Sequence, residues 1–171
     1  MKIKSFDELF TNIKEALDSP IKVNWIKTKM DWIGSFNTDK NTYSIIISKQ
    51  DYDIWKFKYF LEKEGKLSIK MTKFDYDVFK VISTVYKSAF DFIEEVNPNG
   101  LIFGADNDSP TRVKFYSKFS NDCVEKYNYK LYESSFGNEK VNPTLFVLYY
   151  ELTNKELYNI IKKITEEEFG I

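Results

Sequence analysis

The sequence predicts an α/β (α+β) domain, with a mixed, mostly antiparallel sheet flanked by helices. Three observations predict it. Apolar residues recur at helical spacing near the start, in the middle and at the end of the chain. Between them lie short runs with alternating or continuous apolar character, and Pro, Gly and Asn punctuate the junctions. With 171 residues and no linker, repeat or low-complexity stretch, residues 1–171 read as a single domain large enough for a proper core. Within it, 1–65 read as a helix followed by antiparallel strands, 66–151 as a β-α-β-α-β-β half, and 152–171 as a terminal helix.

The elements follow in order. "SFDELFTNIKEAL" opens with a Ser5/Glu8 capping box, and Phe6, Leu9, Phe10, Ile13 and Leu17 form one stripe until Pro20 ends it. "IKVNWIK" partly alternates. "MDWIGSFN" and "TYSIIISK" flank the polar turn Thr38 to Asn41 and read as a hairpin. "YDIWKFKYF" sets Trp55, Phe57 and Tyr59 on one face, and "GKLSIKMTKF" gives a further strand. "DVFKVISTVYKSAFDFIEEV" then carries Val78, Val81, Ile82, Val85, Ala89 and Ile93 at helical spacing, with Asn97-Pro98 as its stop. "GLIFGA" is a continuous apolar run, the signature of a strand buried on both faces. Ser109-Pro110 starts the next helix, an N-cap followed by proline at the first helical position. "YKLYESSF" and "PTLFVLYY" read as strands, and Thr153 with Glu156 caps a last helix holding Leu157, Ile160, Ile161 and Ile164.

Composition excludes several function classes. The net charge is −1 and the basic residues are spread along the chain, so the footprint of a dedicated nucleic-acid binder is missing. There is no histidine, which removes Ser-His and Cys-His nucleophiles and the usual zinc and haem ligand sets. The single cysteine, Cys123, reads as a buried thiol in a reducing compartment. The start has no apolar signal region and no stretch is long enough to span a membrane. Lys, Asn, Ile, Tyr and Phe stand where Arg, Ala, Gly and Pro are common elsewhere, a pattern that suits an AT-rich genome such as many bacteriophages or low-GC bacteria carry.

"FGADNDSPTRVKFYSKF" holds the only arginine, Arg112. Its planar fork binds a carboxylate or phosphate through two parallel hydrogen bonds, which lysine cannot copy. Two readings stand side by side: an anion site at the helix start, or a pair with Asp106, Asp108 or another carboxylate. Asp106, Asn107 and Asp108 are consecutive and lack a following bidentate Glu, so they do not make a calcium loop, and no metal site is expected.

From about Lys66 to Glu151, "KLSIKMTKF", the Val78 helix, "GLIFGA", "SPTRVKFYSKF" and "YKLYESSF…PTLFVLYY" resemble the second half of the GCN5-related N-acetyltransferase (GNAT) fold. In that family a strand leads through a phosphate-cradling loop to a helix. A buried strand follows, then a helix that often bears a catalytic tyrosine, then a closing hairpin. In "SPTRVKFYSK", Ser109, Phe115, Tyr116 and Lys118 occupy the family's places, while Arg112 stands where a small residue would be. The resemblance implies acetyl-CoA as cofactor, Tyr116 as general acid, and Ser109, Arg112 and Lys118 as binding residues. On the other reading Tyr116 joins Val113 and Cys123 on the core side. "VFKVISTVYKSAFDFI", "IFGADND" and "TRVKFY" are also similar to phage-encoded proteins of unknown function.

The chain departs from the family at the cofactor loop. Pyrophosphate needs free backbone N–H groups at a helix start, with glycines to let the backbone approach. "KFDYDVF" has no glycine there and adds Asp75 and Asp77. The expectation is therefore a non-enzymatic phage protein without cofactor or small-molecule ligand. It acts by binding a protein partner or itself, as a virion or assembly component or as a host-interaction factor, in the bacterial host cytoplasm or in the virion. The alternative is a divergent acetyl-CoA-dependent N-acyltransferase using Tyr116. A third reading, a single-stranded nucleic-acid binder, rests on rings interleaved with lysines in "YDIWKFKYF" and "KYNYKLYESSF".

Overall fold

The computed structural model describes residues 20–63, 66–68, 78–106, 110–137 and 142–170. The expected helix over 5–17 and Ser109 lie outside them. The elements run β1 (Asn24–Lys27), β2 (Asp31–Asn37), β3 (Thr42–Lys49), β4 (Ile54–Lys63), β5 (Lys66–Ser68), α1 (Val78–Val96), β6 (Gly100–Asp106), α2 (Pro110–Tyr127), β7 (Lys130–Ser135), β8 (Pro143–Tyr149) and α3 (Asn154–Phe169). All described strand pairs but one are antiparallel. A mixed, mostly antiparallel sheet with helices is the predicted class. From Lys66 on, the described elements run β5, α1, β6, α2, β7, β8. The chain divides into two compact units: the first includes residues up to Ser48 and Phe57–Asn97, the second Lys49–Lys56 and Pro98–Ile171.

In the first unit the strand order is β1-β2-β3-β4, with β5 folded back on the end of β4. The β2–β3 hairpin closes as read, Thr38 N–H donating to the Asn41 carbonyl at 2.9 Å and the Thr38 hydroxyl accepting from Asn41 N–H at 3.1 Å. Period-two alternation sends Trp32 and Phe36 of β2, with their partners Ile47 and Tyr43 of β3, to the buried face. Phe57, Tyr59 and Leu61 of β4 are buried as well. Helix α1 contributes Val81, Ile82, Val85, Ala89, Phe92 and Ile93 to the core, and Phe92 meets the Trp32 ring edge-on at 5.1 Å. Lys27 lies with its ammonium 3.8 Å from the Trp32 ring centre and 2.7 Å from Glu95, so its stem covers apolar surface while its charge is paired. The opposite face carries the cross-strand row Ile26, Ile33 and Ile46, with Ile26 69% and Ile33 46% exposed.

One boundary differs from the sequence reading. Tyr52 does not begin β4; Asp51–Asp53 form a tight turn in which Tyr52 and Asp53 both take positive φ, 61° and 55°. β4 lies parallel to β6, and Lys66–Ser68 of the 66–74 stretch pair antiparallel with Leu61–Lys63. β4 buries Trp55, Phe57, Tyr59 and Leu61 along one face.

In the second unit the order is β4-β6-β8-β7, β4 contributing Ile54–Lys56 in parallel to Gly100–Ile102. β6 is buried on both faces, through Leu101, Ile102, Phe103 and Ala105, as its continuous apolar run requires. Helix α3 covers one side: Ile160 and Ile164 pack with Ile54, Ile102, Leu145 and Val147. Its capping box is present as read, with Thr153 Oγ1 accepting from Glu156 N–H and Glu156 Oε2 from Thr153 N–H. Gly170 at φ 68° ends it. On the same side Lys56 pairs with Glu168 at 2.8 Å. Helix α2 serves the other side, through Phe115, Tyr116, Phe119 and Cys123.

Candidate functional site

Helix α2 begins at Pro110, where the missing N–H costs nothing because first-turn N–H groups have no helical partner. From that start the 3.6-residue period brings Arg112, Tyr116, Phe119 and Cys123 to one side. Arg112 is half-buried in the first turn, and both it and Tyr116 have interaction partners. The Tyr116 ring, 4% exposed, packs 4.8 Å from Phe103 of β6, 5.6 Å from Phe115 and 6.1 Å from Phe146 of β8. Phe103 and Phe146 stack at 5.6 Å beneath it. These aromatic contacts add about 0.5–1.5 kcal/mol per pair beyond area burial. The ring is thus fixed in place, as on the core-side reading, and Cys123 shares that side; Val113 is only half-buried.

Lys118 falls on a different side of α2 and forms an ion pair with Asp122 one turn on. Of the four residues singled out in the sequence, the structure sets Arg112 and Tyr116 one turn apart and Lys118 away from them. Ser109 lies outside the described residues. Cys123 is fully buried. Burial pushes its thiol well above the ordinary range, neighbouring Asp122 adds to this, and Lys126 opposes it. Nucleophilic cysteines sit in the opposite environment, electropositive and partly open.

A second constellation has no signal in the sequence. At the amino ends of β4 and β6, Asp53 Oδ2 accepts from Asn99 N–H at 3.1 Å, and Oδ1 accepts from Trp55 Nε1–H at 3.2 Å and pairs with Lys49 at 3.1 Å. Asn99 Nδ2 donates to the carbonyls of Tyr52 and Glu151 at 3.0 and 2.9 Å. Its Oδ1 accepts from Glu151 N–H at 3.1 Å and its carbonyl from Tyr150 N–H at 2.9 Å. The left-handed Tyr52–Asp53 backbone, costly for non-glycine residues, is held by these bonds. Burial pushes the Asp53 carboxyl up, but the Asn99 N–H, Lys49 and Trp55 outweigh it and hold the group below its ordinary value. Nearby, Tyr129 donates to the Pro98 carbonyl at 2.9 Å and stacks on Tyr150 at 4.0 Å. Burial, with Tyr150 beside it, pushes the Tyr129 phenol far up. Asn97 and Asn128, each in the left-handed region one residue after a helix, end α1 and α2.

No protein-family model matches the chain, and no curated protein matches it. Among solved structures it is similar to a mutant of the spermidine N-acetyltransferase SpeG from Vibrio cholerae. The TM-score is 0.45 and the identity 11%, over 85% of this chain and 76% of that one. It is also similar to MesI, a CoA-dependent acyl-homoserine lactone synthase, with a TM-score of 0.34 and 8% identity over 96% of this chain and 89% of that one. Among the described residues no helix is long and apolar enough to cross a membrane.

Proposed function

We propose that the chain is a divergent N-acyltransferase that takes an acyl-coenzyme A donor. One observation carries the reading: the doubly buried strand β6 is followed by a helix whose second turn holds Tyr116 against Phe103 and Phe146, in the element order of an acetyltransferase. Fold alone does not imply function, so the reading stands on that tyrosine and its neighbour. The described residues fit such a donor here. Arg112 and Tyr116 lie on one side of α2 and have partners within the protein; on this reading the donor would displace those partners, taking the guanidinium for an anionic group and the phenol for proton donation. The donor itself would supply the activated acyl carbonyl. The aromatic cluster holds the phenol in one orientation, and Arg112 in the first turn adds its charge to the positive end of the helix dipole. Residues 73–77, where the family has its phosphate-binding glycines, lie outside the described residues.

Calorimetric titration with acetyl-CoA tests the reading, with micromolar binding expected. Absence of binding removes it. Tyr116→Phe keeps the ring packing and deletes the hydroxyl. Coenzyme A release in the presence of primary amines should then fall by roughly 10²–10⁴-fold with the melting temperature nearly unchanged. An unchanged rate would show that the phenol only packs.

A second reading is a non-enzymatic phage protein that binds a protein partner, as an assembly component or host-interaction factor in the infected cell. The exposed Tyr132 and Tyr158 favour it, since tyrosines are enriched at interfaces. Silent acetyl-CoA titrations together with a stable co-purifying protein would support it.

A further inference from the structure

We draw no further inference here: the strongest candidate, the exposed Ile26–Ile33–Ile46 row on the outer face of strands β1 to β3 in the first unit, is a single apolar row, and nothing in the structure shows what covers it.

Discussion

Replacing Gly100 by alanine probes how closely the strands of the second unit approach one another. Gly100 faces Ile54 across the parallel pair and Tyr149 across the antiparallel one. A Cβ there would stand 1.9 Å from the Leu148 carbonyl oxygen, 2.9 Å from its carbon and 2.8 Å from Ile54 Cδ1. The Ile54 methyl can rotate away; the Leu148 carbonyl is backbone and cannot. Ordinary C···O contacts are about 3.3 Å or longer, so the strands must part by about 1.4 Å locally. Overpacking of this kind costs about 1–3 kcal/mol, and two weakened ladder bonds add about 0.5–1.5 kcal/mol each. Alanine returns about 0.5–1 kcal/mol by restricting the unfolded chain. The expected net loss lies between about 1 and 5.5 kcal/mol, centred near 3 kcal/mol, a large part of a typical stability of about 5–15 kcal/mol. Urea unfolding followed by far-UV circular dichroism measures it, with Gly104→Ala as the control. There the added Cβ meets Leu145 Cδ2 at 2.8 Å, the end of a side chain that can move, and the loss should stay below about 1.5 kcal/mol. A Gly100→Ala protein within 1 kcal/mol of the parent on the order-of-magnitude scale of surface changes, or equal losses at the two glycines, would refute the close-approach argument.

Thr153→Ala removes the side-chain half of the α3 capping box and leaves the Glu156 carboxylate on the backbone N–H of residue 153; it should cost about 1 kcal/mol, read as a lower urea midpoint with unchanged slope. Cys123, fully buried with its thiol pushed up by burial, should resist a thiol-disulfide reagent in native buffer and react at once in urea; rapid native labelling would contradict its placement. Asp53 gives a pH signature. Its folded pKa lies below the ordinary value of 3.8, so its contribution is fully present above that value and is lost as pH falls through the folded one. Asp53→Asn should therefore flatten the stability profile below about pH 4, and a profile identical to the parent's would show that the network contributes nothing.

How much of this was legible in the sequence follows from which forces are local. The β2–β3 hairpin, the α3 capping box, Pro110 at the start of α2 and Asn97 at the end of α1 are set by residues within a few positions of one another, and each is found where the pattern puts it. The burial of β6 was legible too, because only a strand covered on both faces has reason to be apolar throughout. Strand partnership was not. That β4 lies beside β6 depends on apolar surface brought together from segments more than 40 residues apart. The Tyr52–Asp53 turn was invisible for a related reason: Asn99 and Glu151 hold it from 46 and more residues away, and no local rule places a tyrosine in the left-handed region. For the candidate site, the 3.6-residue period is enough to put Arg112 and Tyr116 on one side of α2, and the i, i+4 spacing is enough to pair Lys118 with Asp122.

A dense polar network at one end of the second unit's strands serves the fold rather than chemistry. At the amino ends of β4 and β6, Asn99 uses its N–H, its carbonyl, its Oδ1 and its Nδ2 on protein partners, and Asp53 uses both carboxylate oxygens. A network satisfied in this way rigidifies a fold and offers a ligand only bonds that must first be broken. Its strain is accounted for by the strand ends it ties together, so its left-handed backbone requires no ligand. The polar network is conspicuous but closed, and Arg112 and Tyr116 at the start of α2 likewise have partners within the protein.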